Sequence, residues 1–173
     1  MFNSRHVFSK SMLALVFLAA GHSLAVSRDA GKMPIVAGWI EKAKLPDEKL
    51  VFNAKLDTGA DTSSLHAKNI KLFTRDGQRF VRFELFDDAD QKMLLEKPVI
   101  RMTRITRRAG ATAVIRRPVV KLKICLGGIV ETTQFNLADR GSFKFKMLIG
   151  RSLLAGRIMV RSGAKSLVSD KCQ

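Results

Sequence analysis

Val51-Phe52-Asn53-Ala54-Lys55-Leu56-Asp57-Thr58-Gly59-Ala60 decides how this chain is read. Phe52, Ala54 and Leu56 alternate with Asn53 and Lys55, the period-2 pattern of a strand with one buried face. That strand ends in Asp57 on a glycine turn, so a rigid element carries a carboxylate out to a loop. Far downstream, Met147-Leu148-Ile149-Gly150-Arg151 sets a second short apolar run against a second glycine.

Outward from these two turns the patterning stays β. Ile35 to Ile40 starts a first strand. Asp76-Gly77 lies between alternating flanks and predicts a tight hairpin, with Val81, Phe83 and Leu85 continuing the return strand. Ile100 to Arg104 and Val114 to Val120 predict a longer hairpin bent at Arg107-Arg108-Ala109-Gly110-Ala111, and Gly127-Gly128 predicts a third. Only Ser152 to Ala155 reads as helix, so the chain is expected to be mainly β.

Leu56 to Leu65 resembles the catalytic loop of retroviral proteases, and Leu148 to Leu154 resembles their second turn and helix start. Gly38-Trp39-Ile40-Glu41, the Arg-rich centre and Asp139-Arg140 resemble more closely a bacterial family catalogued under the name ATP-dependent zinc protease and since described as retropepsin-like. The resemblance runs over roughly residues 35 to 160. It implies a small closed β-barrel of the retropepsin-like, acid-protease type with one short helix, and an aspartic endopeptidase acting on a polypeptide substrate.

In that chemistry two carboxyls share one proton and a water, because like charges about 3 Å apart do not both ionise. Asp57, Thr58 and Gly59 would be the catalytic turn. One Asp-Thr-Gly per chain implies that the second carboxyl comes from another copy, in a two-fold homodimer. Gly59 allows backbone to approach the carboxylate. Ala60 stands where pepsin-like enzymes carry a hydroxyl donor, which implies a less acidic working pH. Asp61 and Arg151 match a pair that braces the retropepsin dimer, and Gly110 falls at the tip of the implied flap. Gly150 anchors the second turn. Interleaved chain ends, near Val26 to Ile35 and Leu167 to Gln173, would hold the dimer and bring Cys172 close to its axis.

The older name is not matched by motifs. There is no His-Glu-x-x-His and no Gly-x-x-x-x-Gly-Lys-Ser/Thr loop, and the two cysteines are far apart, so no metal or cofactor is expected. His66 reads as a loop or core histidine.

Across 173 residues the chain carries 31 Lys and Arg against 15 Asp and Glu, a formal charge of +16. That imbalance attracts anionic partners. Residues 1–25 read as a secretory signal: Arg5, His6 and Lys10 precede the apolar run Met12 to Ala20, and Ser23-Leu24-Ala25 follows. Residues 26–34 read as a flexible lead-in and 35–173 as the peptidase domain. A periplasmic or secreted location follows, and with it no nucleic-acid partner. In such a compartment Cys125 and Cys172 have three options: an internal bridge, a Cys172 to Cys172 bridge across a dimer, or two free thiols. The competing reading is a non-catalytic module of the same fold that grips an anionic envelope component through its Arg-rich hairpin.

Overall fold

The computed structural model describes residues 33–106 and 114–172. The expected signal, all but the end of the lead-in, and the tip of the long hairpin with Gly110 lie outside these residues. Among the described residues eleven strands and one short helix follow one another: β1 (Ile35–Gly38), β2 (Ile40–Leu45), β3 (Leu50–Leu56), β4 (Ser63–Arg75), β5 (Gln78–Phe86), β6 (Lys92–Pro98), β7 (Arg101–Thr106), β8 (Val114–Leu126), β9 (Ile129–Ala138), β10 (Met147–Ile149), α1 (Arg151–Leu154) and β11 (Ile158–Arg161). The expected class, mainly β with one short helix, is the observed one.

Six strands close into a barrel. The order is β10-β3-β2-β8-β9-β4, and β4 pairs back onto β10. β10 runs parallel to β3, Ile149 opposite Leu56, and antiparallel to β4, Met147 opposite Leu65. Closure removes the unpaired edges an open sheet would present. It also threads β10 between the strands that enter and leave the Asp57 turn, which places the two glycine turns side by side.

The alternation read in β3 is the packing seen. Leu50, Phe52, Ala54 and Leu56 are buried, and meet Leu65, Leu122, Ile124, Phe135, Leu137, Met147 and Ile149 inside the barrel. Burying each large side chain contributes about 1.5–3 kcal/mol. β4 is buried over residues 63–67 and then leaves the barrel. Its register against β5 shifts between Lys68 and Lys71, and the outer half forms an arm with β5 and β6. Asp76 (φ 50°) and Gly77 (φ 73°) turn the tip of this arm, as the Asp-Gly signal predicts. Strand β6 carries no alternation and has no counterpart in the sequence reading.

The first and last strands, β1 and β11, are held together within one chain. β1 pairs parallel with β11, Ile35 opposite Ile158 and Gly38 opposite Arg161. The segment after β11 then returns over β2: Trp39 N–H donates to Ala164 O (3.0 Å) and Ser166 N–H to Ile40 O (2.9 Å). The buried Glu41 carboxylate accepts from Gly38 N–H (2.5 Å), Leu167 N–H (2.8 Å) and Val168 N–H (3.4 Å). Satisfied by backbone donors, this carboxylate fixes a segment that has no strand partner of its own.

Cys172 is bonded to Cys125, with Cα atoms 5.8 Å apart. Of the three options left open by the sequence, this is the internal bridge: the sulfur is engaged by its own chain. The bond closes a 47-residue separation. In a chain-entropy account that constraint stabilises the fold by about 4 kcal/mol. Residues 167 to 172 are thus tied to their own chain through Glu41 and Cys125.

Candidate active site

Asp57 stands at the end of β3, where its N–H donates to Ile149 O (2.8 Å) and the strand stops. The turn folds back on the side chain. Gly59 N–H donates to Asp57 Oδ1 (3.0 Å), and Ala60 N–H to Asp57 O (3.2 Å). A Cβ at Gly59 would come within 3.2 Å of that same Oδ1, so glycine lets backbone approach the carboxylate. The second oxygen, Oδ2, lies 3.5 Å from Lys55 Nζ, an ion pair across the strand end. Thr58 and Gly59 are exposed at the tip of the turn.

The second turn locks the first. Arg151 N–H donates to Ala60 O (2.8 Å), Ser152 N–H to Asp61 O (3.0 Å), and Gly150 N–H to Ser63 Oγ (3.1 Å). A side chain at Gly150 would meet backbone: Thr62 C at 2.8 Å and Ala60 O at 2.9 Å. The Arg151 guanidinium donates to Thr58 O (2.7 Å) and pairs with Asp61. Both side chains are exposed, so the pair contributes about 0–1 kcal/mol to stability and serves chiefly to orient the turn. The structure therefore brings together Asp57, Thr58, Gly59, Ala60, Asp61, Gly150 and Arg151, while Gly110 lies outside the described residues.

Beside this frame runs a polar network that the spacing of motifs did not indicate. Ser64 Oγ donates to Asn136 Oδ1 (3.0 Å), Asn136 Nδ2 to Ser63 O (2.8 Å), and Arg117 Nη1 to the same Asn136 oxygen (3.3 Å). Arg101 donates to Thr62 Oγ1 (3.0 Å) and Gln134 Oε1 (3.0 Å). Arg140 is buried, its Nε donating to Phe145 O (3.2 Å) and its guanidinium lying 4.6 Å from the centre of the Phe143 ring. Burial pushes the Arg140 pKa down, the neighbouring Arg117 charge adds to this, and Asp57 opposes it. Among the described residues no ion pair satisfies Arg140. Of the six central arginines in the sequence, Arg101 and Arg117 reach the site, Arg104 and Arg116 face each other along the β7–β8 arm, and Arg107 and Arg108 lie outside the described residues. Arg140 and Lys55 join them from other elements; Lys55 is signalled only by its polar place in the alternation of β3.

Among the described residues no three of His, Cys, Asp or Glu converge as a metal-binding set.

Comparison with known proteins agrees with this fold. Residues 36–171 match the RimB-like family model, described as retropepsin-like aspartic endopeptidase RimB. The chain belongs to this RimB-like family. A crystal structure of a protein of unknown function from Legionella pneumophila subsp. pneumophila strain Philadelphia 1 superposes with a TM-score of 0.66 at 32% identity, covering 78% of this chain and 98% of that one. Two curated relatives are each called probable alpha-L-glutamate ligase. The one from Parasynechococcus marenigrum (strain WH8102) is 34% identical over 130 residues, 73% of this chain and 28% of its own length. The one from Shewanella pealeana (strain ATCC 700345 / ANG-SQ1) is 31% identical over 123 residues, 69% of this chain and 26% of its own. The chain thus spans about a quarter of the length of the curated relatives it matches.

Proposed function

We propose that the chain is an aspartic endopeptidase whose dyad forms from the Asp57 of two copies meeting at a two-fold axis. The observation that carries this reading is the frame itself: a carboxylate tethered by Gly59 N–H, on an exposed turn braced by the turn at Gly150. One such turn per chain makes the site incomplete without a second copy. In the dimer a water lies between the two carboxyls; the ionised one takes its proton while the protonated one donates a hydrogen bond to the scissile carbonyl. No covalent intermediate is needed. The amine leaves with the proton returned by the dyad.

The substrate we propose is an acidic polypeptide. Lys55, Arg101, Arg117 and Arg140 set four cations around the turn, and guanidinium groups bind carboxylates in paired hydrogen bonds. The curated relatives carry glutamate in their name, which favours the same side chain. Their ligase activity is not proposed here, because the chain matches about a quarter of their length and has no phosphate-cradling glycine loop. We further propose export to the periplasm or beyond, supported by the signal-like residues 1–25 and by the Cys125–Cys172 bridge, a bond of oxidising compartments.

The second reading, a binding module, is favoured by one observation: Lys55 already pairs with Asp57, a neutralised state that suits a chain working alone. The two readings part on a peptide library. Incubated with a diverse library between pH 4 and 8 and read by mass spectrometry, the wild-type chain should yield discrete products with acidic residues flanking the cut. Binding of acidic peptides with no cleavage at any pH would instead select the module.

A further inference from the structure

His66 is the one buried histidine among the described residues, 2% exposed in β4 two residues beyond Ser64. Its own N–H donates to Lys146 O (2.7 Å), and its ring nitrogen Nδ1 accepts the N–H of Arg140 (2.8 Å). An accepting Nδ1 requires a neutral ring with its proton on Nε2. Together with Arg140 Nη1 donating to Ser64 Oγ (3.5 Å) and the sheet pairing of His66 with Ala138, this bond joins the strand leaving the Asp57 turn to the turn that carries Arg140. Around the ring stand Asp139, with Oδ1 at 3.5 Å from Nδ1, the cations Lys68, Lys146 and Arg140, and the Phe86 ring, its centre 6.3 Å away. Asp139 is itself turned toward Gly141, whose N–H it accepts at 2.9 Å.

We propose that His66 is a positioning residue for Arg140, so that protonation of its ring frees Arg140 and makes the grip on acidic substrate strong near neutral pH and weak in acid. The proposal rests on the peptidase reading with its acidic substrate. A protonated ring turns Nδ1 into a donor facing the Arg140 donor, and the nearest carboxylate is Asp139. The ring then exchanges Arg140 N–H for Asp139, and the turn at 139–141 must move. Arg140 moves with it, losing the contacts to Phe145 O and Phe143 that set its guanidinium.

Burial lowers the His66 pKa below the ordinary 6.5; Asp139 opposes this, while Lys68, Lys146 and Arg140 reinforce it. The sign follows. With the folded value below the unfolded one, the neutral ring's contribution is complete above the unfolded value and is lost as pH falls through the folded one. The change therefore lies on the acid side of 6.5.

Two measurements test it. In isotope-labelled wild-type protein, the Arg140 amide resonance should titrate with the same midpoint as the His66 ring; an Arg140 amide that ignores the ring overturns the proposal. Peptide affinity is read in an Asp57→Asn background, which keeps the peptide whole, using a Glu peptide and its Gln isostere. From pH 7.5 to pH 5 the Glu peptide should lose about tenfold or more in affinity beyond the Gln peptide, the scale of a lost charge-assisted hydrogen bond. With His66→Asn added, an acceptor remains that does not titrate, and most of that excess loss should vanish. Equal losses with and without His66→Asn overturn the proposal; should that variant fail to fold, the wild-type titration still decides. Failure of the wild-type chain to hydrolyse peptides would count against the peptidase reading alone, since both measurements here are of structure and binding.

Discussion

Asp57→Asn is expected to lower peptide hydrolysis by at least about 10³-fold while the fold stays intact, a loss on the scale of removing a general acid–base group. The amide fits the same turn. Its oxygen accepts Gly59 N–H as the carboxylate does, and the lost ion pair to Lys55 is partly exposed, so little stability goes with it. What disappears is the shared proton: an amide neither takes one from water nor gives one back. Kinetics and thermal melting on the same preparation check both halves. Hydrolysis at the wild-type rate would show that Asp57 is not part of the chemistry.

Gly150→Ala is the second large effect, and it acts on stability and activity together. The new Cβ would lie 2.8 Å from Thr62 C, 2.9 Å from Ala60 O and 3.1 Å from Asp61 C, all backbone atoms of the turn it braces. No side-chain rotamer relieves such contacts; one turn must move away from the other. Overpacking of this kind costs about 3 kcal/mol, or about 10 °C in Tm for a domain of this size. Displacing the turn also loosens the bonds from Arg151 and Ser152 to Ala60 and Asp61, so activity should fall even where the protein remains folded. Gly163→Ala is the control, because nothing lies within 4 Å of a Cβ there. Equal melting temperatures for the two variants would refute the account of how the turns hold each other.

The sequence made some of this visible and hid the rest for one physical reason. Asp57-Thr58-Gly59, the Asp76-Gly77 tip and the Gly127-Gly128 turn are local: each is written in a few consecutive residues whose backbone preferences act alone. The alternation of Phe52, Ala54 and Leu56 is local too, and it placed the carboxylate at a strand end. Hidden were contacts between residues far apart. Arg140 meets His66 across 74 positions, Leu167 reaches Glu41 across 126, and Cys125 bonds Cys172 across 47. None leaves a periodic trace. Asp139-Arg140 was legible only as part of a family resemblance, and its partner, a histidine read as loop or core, gave no sign of holding it. The cysteines remained open because sequence fixes their number and not their distance.

In this mechanism two copies of Asp57 make one active site. Subunit mixing separates the two cases: wild-type and Asp57→Asn chains are refolded together in varying ratio at fixed total concentration, and the total rate of hydrolysis is measured. Random pairing makes fully armed dimers fall as the square of the wild-type fraction, so replacing half the chains should leave about a quarter of the activity. A linear fall, with half the activity remaining, would mean that each chain works alone and would contradict the shared dyad.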